Sequence, residues 1–311
     1  MIASIWNDLK SAYGRGDMVT RLVIVNVAVF AAINIVKITL FLTHAGQTPL
    51  LYDDILHFFC ISTRLSHNLT HPWAAVTSMF LHEGFWHILW NMLFLATFGR
   101  IVGDFIGNQR VLPLYLLGGF VGAIIYWVGS LLLPTGYGFA LGASAAVMSF
   151  VVAAATISPD YPMRVLLIGD VKLKYIALVL VFLDLIGIAN VDNTGGHFAH
   201  LGGALFGWFF VEQLRQGRDL AVPINQFFDS VGRFFKKVTQ KSPRPRPKMA
   251  YKNEEKASRQ KNGTIKATRS SATAEINFQN QLDGILEKIK QNGYESLSAD
   301  EKAFLFQASK K

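Results

Sequence analysis

A serine, two histidines and an asparagine stand out in this sequence because together they fit acyl-transfer chemistry. Ser144 follows a Gly-Ala pair in a stretch of small residues, and His200 lies in another such stretch. A serine hydroxyl becomes a nucleophile when an imidazole accepts its proton during attack on a carbonyl carbon. His87 and Asn91, four residues apart, share one face of a helix and can donate to the oxygen that becomes negative. This set predicts a Ser–His dyad with an oxyanion site.

Each of these residues, taken alone, also has a purely structural interpretation. Small residues with a serine are common where membrane helices touch, and there the hydroxyl bonds a backbone carbonyl. His87 could be a hydrogen-bonded interfacial histidine, and Asn91 could join two helices. The catalytic interpretation therefore depends on the residues occurring together. No carboxylate has an obvious place among them, so we expect a dyad and not a triad.

The composition indicates a chain that crosses a membrane several times. Of its 311 residues 51% are hydrophobic and only 16% are charged, which is less charge than soluble domains usually carry. Most apolar runs approach the ~20 residues that span a ~30 Å hydrocarbon layer. The six runs are Arg21 to Thr43, Trp86 to Gly107, Val111 to Leu133, Leu141 to Ile157, Leu173 to Ala189 and His197 to Glu212. We therefore predict an all-α polytopic membrane protein with six transmembrane helices.

Two further expectations come from the residues after the first apolar run and from the single cysteine. No small-residue cleavage site follows the first run closely, so it is expected to be an anchor and not a removed signal peptide. Cys60 is the only cysteine of the sequence, and it therefore has no intramolecular disulfide partner.

The basic residues of the loops predict the orientation of the spans. Lys and Arg precede the first run, flank the second connection, occupy the fourth and fill the tail, whereas the alternate segments carry almost none. The positive-inside rule then puts both termini in the cytoplasm. Spans two, four and six begin on the outer side, which places the polar candidates at a similar shallow depth: His82, His87, Asn91, Ser144 and His200.

Small residues in spans four and six predict where these two helices cross. Such residues recur at helical spacing in each span: Ala145, Ser149 and Ala153 in span four, and Ala199, Gly203 and Gly207 in span six. A small-xxx-small pattern lets two backbones approach closely. A crossing at these stripes could bring the hydroxyl of Ser144 within hydrogen-bond reach of His200.

On these residues the chain resembles the rhomboid intramembrane serine proteases. The resemblance covers about residues 19–214, and three motifs carry it in the right order. They are H-x-x-x-x-H-x-x-x-N at His82, His87 and Asn91, G-A-S at Gly142 to Ser144, and A-H-x-x-G at Ala199, His200 and Gly203. The resemblance implies a six-helix bundle that cleaves single-span membrane proteins near the outer membrane surface and needs no cofactor or metal.

The resemblance also implies a role for each matching residue. Ser144 is the nucleophile and His200 the general base. His87, Asn91 and the backbone N–H of Ser144 bind the oxyanion, with His82 supporting that region. Further supporting positions are Gly142, Gly203 and Met148.

Two positions depart from the family or lie outside its motifs. Met148 stands one turn beyond the serine, where some members place an aromatic ring against the catalytic histidine, which affects the expected orientation of that histidine. Asp184 is an acid within the fifth span, and an intramembrane carboxylate is a functional candidate by default. Because no family motif covers Asp184, we expect a structural or gating hydrogen bond there.

The predicted organisation has five parts. They are an N-terminal segment (1–20), the six-span domain (21–214), a basic amphipathic helix (215–240), a disordered basic linker (241–275) and a small helical module (276–311). The amphipathic helix is expected to lie on anionic membrane lipid. Nucleic acid is not an expected partner, because the positive-inside rule already explains the charge of the tail. Ser298 and Glu301 form a capping box in the module, whose cytoplasmic partner is unknown.

The location follows from the same resemblance, which is to bacterial rhomboids with a C-terminal helical extension. The expected membrane is therefore the inner membrane of a bacterium. Two other functions stay open: a catalytically silent rhomboid-like protein that binds membrane clients, and a histidine-rich protein that binds or transports metal. Silent members usually lose the serine or the histidine, and this chain keeps both.

Overall fold

A computed structural model describes residues 10–14, 16–133, 138–165, 168–189, 193–239, 281–291, 293 and 296–308. The chain divides into two compact units, Met1–Gln240 and Lys241–Lys311. The predicted linker at 241–275 and half of the predicted N-terminal segment, residues 1–9 and 15, lie outside the described residues.

The first unit is helical, as the composition predicts. Its helices are α1 (Met18–Thr43), α2 (Leu50–Phe58), α3 (Leu65–Thr70), α4 (Ala74–Thr77), α5 (Phe85–Ile106), α6 (Val111–Leu132), α7 (Ser144–Ile157), α8 (Leu173–Gly187), α9 (Thr194–Arg215) and α10 (Ala221–Thr239). Short 3₁₀ turns at Ser78–Phe80 and Asn108–Arg110 precede α5 and α6. The all-α membrane class is thereby confirmed.

Among the residues that the structure describes, three helical segments are long and apolar enough to cross a bilayer: α1, α5 and Asn108–Leu132, which includes α6. The apolar helix α7 is shorter, and α8 and α9 coincide with the fifth and sixth predicted runs. Large apolar side chains of α8 are exposed, among them Leu178, Phe182 and Ile186. Such a surface suits lipid and not water. The six-span count beyond these three segments remains a prediction.

Helices α6, α7 and α9 pack at backbone distance because small residues face one another. A Cβ on Gly203 would overlap the carbonyl oxygen of Ala145, and one on Gly207 would overlap that of Ser149. On α6, a Cβ on Gly122 would overlap the side chain of Ala145. The predicted crossing of spans four and six is therefore confirmed. It lies one residue beyond Ser144.

Two short antiparallel ladders connect the loops. β1 (Ile61–Ser62) pairs with β2 (Phe139–Ala140), with Ile61 opposite Ala140. This ladder ties the long loop between α1 and α5 to the segment that leads into α7. β3 (Pro162–Val165) and β4 (Gly169–Lys172) form a hairpin between α7 and α8.

Helix α10 begins at a polar anchor and then exposes an apolar face. Arg110 contacts Asp219 at 2.7 Å, just ahead of the helix. Phe227, Phe234 and Phe235 are exposed. This pattern matches the expected amphipathic helix, and its contact with lipid remains a prediction.

The second unit contains a helical segment at 281–291 and α11 (Ala299–Ala308). The predicted capping box is confirmed: the Ser298 backbone N–H donates to the Glu301 carboxylate at 2.7 Å, and the Glu301 N–H donates to Ser298 Oγ at 3.3 Å. Lys288 contacts Glu301 at 2.9 Å and joins the two helical segments. Ile285 and Leu297 are buried.

Candidate active site

Six of the eight predicted site residues line one cavity, and His82 and Gly203 lie outside its lining. The cavity has a volume of about 1430 Å³ and is bordered by Ser144, His200, His87 and Asn91, together with Met148. Three of its walls come from α5, α7 and α9, which the sequence places in three separate spans. The structure thus brings the proposed nucleophile, base and oxyanion donors to one cavity.

Ser144 is the first residue of α7, and the preceding loop holds it there. Gly142 has a φ of +121°, a conformation that L side chains rarely adopt. Its backbone N–H donates to the carbonyl of Ser78 at 2.8 Å. Because the first N–H groups of a helix have no acceptor within the helix, the N–H of Ser144 is available to a ligand in the cavity.

His82 supports this loop from the side of α5. Its Nε2 accepts the backbone N–H of Ala143 at 3.3 Å, one residue before Ser144. The side chain is only 1% exposed. Burial, and to a lesser extent the neighbouring His87, lowers the pKa of His82 to about 4. The imidazole is therefore neutral near pH 7 and can accept the hydrogen bond.

His87 and Asn91 lie on the cavity face of α5. The imidazole of His87 covers Gly142, since a Cβ on that glycine would come within 2.8 Å of His87 Nε2 and 3.8 Å of Ser144 Oγ. Asn91 Nδ2 donates to the backbone carbonyl of His87 at 2.8 Å. An amide nitrogen carries two hydrogens, so one donor of Asn91 remains for a ligand.

His200 is bonded to a carboxylate, a contact that the sequence pattern does not predict. Its Nδ1 lies 2.8 Å from Asp184 Oδ1, and His197 Nδ1 lies 2.8 Å from the same oxygen. The expectation that no carboxylate joins the cluster is therefore wrong, whereas the expected hydrogen bond of Asp184 is confirmed. Within the described residues no hydrogen bond joins the hydroxyl of Ser144 to the imidazole of His200.

Two signals in the sequence could have located this contact. Asp184 is a lone acid in an apolar helix, and a buried carboxylate requires a hydrogen-bonding partner. His197 and His200 are three residues apart, so they share one helical face. What the sequence lacks is the rotation of α8 against α9 that makes these groups meet.

The supporting positions also reach the site. Gly203 forms the close crossing beside Ala145, and Met148 is buried at the cavity wall. Histidines of the long loop between α1 and α5 border the cavity as well, namely His57, His67 and His71. His57 stacks on Phe139 of β2 with ring centroids 3.7 Å apart. Their place at this cavity depends on the β1–β2 pairing, which the sequence pattern did not reveal.

Comparison with known families finds one match in each part of the chain. The family described as "Rhomboid domain" matches residues 69–216, and a "Family of unknown function (DUF6576)" matches residues 274–311. The rhomboid match contains all the predicted site residues, and the second match covers the predicted C-terminal module.

Individual relatives are similar to parts of the chain. "Presenilin-associated rhomboid-like protein A, mitochondrial" of Danio rerio is 32% identical over 139 residues, 44% of this chain and 36% of the relative. "Presenilin-associated rhomboid-like protein, mitochondrial" of Homo sapiens is 28% identical over 214 residues, 66% of this chain and 50% of the relative. "Rhomboid protease GluP" of Bacillus subtilis is 30% identical over 138 residues, 44% of this chain and 25% of the relative. The chain thus spans half or less of the length of these relatives.

These names correct one prediction. The expected location in a bacterial inner membrane is wrong, because the Danio rerio and Homo sapiens relatives are both named as mitochondrial. Hydropathy indicates that a segment inserts into a bilayer, and loop charge indicates the orientation of the inserted chain. They do not distinguish one organelle or cell membrane from another, and for this reason the sequence pattern did not indicate the location.

Proposed function

Since this chain belongs to the rhomboid family, whose proteins act on membrane proteins, we propose that it is an intramembrane serine endopeptidase with Ser144 as nucleophile and His200 as general base. The single observation that carries the proposal is the common cavity. Ser144, His200, His87 and Asn91 all border it although they come from three helices. A protein that only packed its helices together would not need these four groups at one open space.

The proposed reaction is cleavage of a peptide bond through an acyl-enzyme. Ser144 Oγ bonds to the carbonyl carbon while its proton moves to Nε2 of His200. The imidazolium then gives this proton to the leaving nitrogen as the C–N bond breaks. Water, deprotonated by the same imidazole, attacks the ester and releases Ser144. The close crossing of α7 and α9 at Gly203 supports this step, because it brings the two helices that carry Ser144 and His200 to backbone distance.

The oxyanion would be bound on the α5 side of the cavity. His87 lies against Gly142, and the second amide hydrogen of Asn91 and the N–H of Ser144 are available. Donors that are fixed before the reaction stabilise the transition state without the cost of reorganising solvent. His82 would fix the Ser144 loop through its bond to Ala143.

The proposed substrate is a single-span transmembrane protein, cut close to the membrane surface. The support for this depth is the expected orientation of the spans, in which the span that begins with Ser144 starts on the outer side. The names of the relatives support a mitochondrial membrane as the location of the reaction, and the C-terminal module would have a separate, unidentified partner.

Incubation of the purified protein in lipid with a panel of single-span substrates tests the proposal. Ser144→Ala and His200→Ala should each abolish cleavage while the protein stays folded, because both side chains become smaller. The double variant should be no worse than either single variant, since the two groups act as a unit.

Ser144→Ala also separates the protease from a silent client-binding protein. A client-binding protein would retain its substrates in both forms and cleave them in neither. Cleavage at the wild-type rate by Ser144→Ala would refute the proposal. Metal that copurifies with the protein, and activity that a chelator abolishes, would instead favour the histidine-rich protein that binds or transports metal.

A further inference from the structure

The contact between Asp184 and His200 adds a third residue to the proposed pair of Ser144 and His200. On the premise of the proposed protease function, we propose that Asp184 is a positioning residue, which orients His200 and holds its hydrogen on Nδ1 so that Nε2 receives the proton of Ser144. The working unit is then Ser144–His200–Asp184. His197 is a second donor to the same carboxylate.

The geometry places Asp184 behind the base and not in front of it. Asp184 borders the cavity but is only 7% exposed, and its Oδ1 lies 2.8 Å from Nδ1 of His200. An ionised carboxylate only accepts hydrogen bonds, so the Nδ1 that bonds to it carries the hydrogen. In a neutral imidazole the other nitrogen, Nε2, is then the acceptor. This is the tautomer that a base for Ser144 requires.

During the reaction the carboxylate would stay ionised. Ser144 Oγ forms its bond to the carbonyl carbon, its proton goes to Nε2, and the imidazolium retains its Nδ1–H bond to Asp184. A negative carboxylate at hydrogen-bond distance stabilises the positive ring that forms in this step, as in other serine hydrolases with a third member. No proton reaches Asp184.

A metal ion is a competing explanation for Asp184, His197 and His200. Their potential ligand atoms all lie within 4.8 Å of one another. Ligands of a tetrahedral zinc ion at ~2.0–2.1 Å are about 3.3 Å apart. Here each Nδ1 lies 2.8 Å from the carboxylate oxygen, which is the distance of a charge-assisted hydrogen bond. The spacing therefore favours direct bonding.

Local packing explains why two imidazoles reach one oxygen. His197 lies against Gly187 of α8, where a Cβ would overlap its ring. Asp184 and Gly187 are one turn apart on α8, and His197 and His200 are one turn apart on α9. The two histidines therefore approach the carboxylate from adjacent positions of one helix. His197 satisfies a second lone pair of the carboxylate and is not required for the proton transfer.

The test compares Asp184→Asn with the wild type in lipid, using a single-span substrate and a serine-reactive fluorophosphonate probe. The change is isosteric but removes the charge and no longer specifies the tautomer. We expect kcat to fall by about 10²–10⁴-fold with KM nearly unchanged. The rate of probe labelling should fall in parallel, because it reports the reactivity of Ser144 without substrate binding. Asp184→Glu keeps the charge and should retain more turnover than Asp184→Asn.

Two further variants serve as controls. Asp170→Asn makes the same chemical change on the exposed β3–β4 hairpin, where Asp170 pairs with Arg164, and it should leave turnover unchanged. His197→Ala should lower kcat by less than about tenfold, because His200 retains its own bond to Asp184. Melting temperatures on the same preparations normalise activity to folded protein.

Several results would overturn the inference. For Asp184→Asn, these results are a kcat per folded molecule equal to that of the wild type, or an effect on KM alone. Equal losses of kcat in Asp184→Asn and Asp184→Glu would also contradict it, as would a rise in wild-type turnover when a chelator is added. Ser144→Ala separates these failures from failure of the proposed function. If Ser144→Ala is inactive and Asp184→Asn is fully active, only the proposed role of Asp184 is refuted. If Ser144→Ala is active, the proposed protease function itself is refuted.

Discussion

The buried imidazole of His82 makes the stability of the transmembrane domain depend on pH. Its folded-state pKa is about 4, below the ordinary value of 6.5, because burial disfavours the imidazolium and His87 lies close by. The unfolded chain therefore binds a proton between these two values while the folded chain does not. Stability must then rise with pH across this window and be lost as the pH falls from 6.5 toward 4.

The size of the effect follows from these two pKa values. A shift of one unit corresponds to about 1.4 kcal/mol, so complete protonation costs about 3 kcal/mol. Between pH 7 and pH 5 the linkage relation gives a loss of about 2 kcal/mol. For a domain of this size that corresponds to a fall of roughly 4–8 °C in melting temperature. Protonation at Nε2 would also remove the acceptor for the Ala143 N–H, which loosens the loop that carries Ser144.

His82→Gln isolates this contribution, because a glutamine oxygen can accept the Ala143 N–H and does not titrate. Thermal unfolding in detergent or lipid should be measured from pH 7 to pH 4 for both proteins. The wild type should lose about 2 kcal/mol more than the variant between pH 7 and pH 5, since other titrating groups contribute equally to both. Parallel curves for the two proteins would refute the reasoning.

Two further predictions concern the oxyanion site and the helix crossing. Asn91→Ala should lower kcat by roughly 10–1,000-fold with little change in KM, because its contact strengthens as charge develops; normal turnover with a lower melting temperature would make Asn91 a packing residue. Gly203→Ala should cost roughly 1–3 kcal/mol by forcing α9 away from the Ala145 carbonyl, measured by thermal unfolding. The control is Gly232→Ala on the exposed side of α10, where a Cβ meets nothing within 4 Å, and it should be neutral or slightly stabilising. Equal losses of stability in Gly203→Ala and Gly232→Ala would contradict the close helix crossing.

The sequence by itself determined the class of the protein and indicated several polar residues that border the cavity, among them Ser144, His87 and His200. The lengths of most apolar runs approach the thickness of a bilayer, so the membrane class could be derived from hydropathy. The stripe with Gly203 indicated the helix crossing because only small residues permit backbone contact. The capping box at Ser298 was readable because its two hydrogen bonds are local in the chain.

Only the tertiary structure decided how distant polar groups meet. Asp184 was recognisable as an unusual acid, but its contact with His200 depends on the rotation of α8 against α9. The approach of Phe139 to His57 depends on a two-residue ladder between loops that are far apart in the chain. Local periodicity determines which face of a helix is apolar, whereas the relative rotation of two helices results from all their side-chain contacts at once. For this reason the sequence indicated a dyad, and the folded chain revealed a carboxylate bonded to His200.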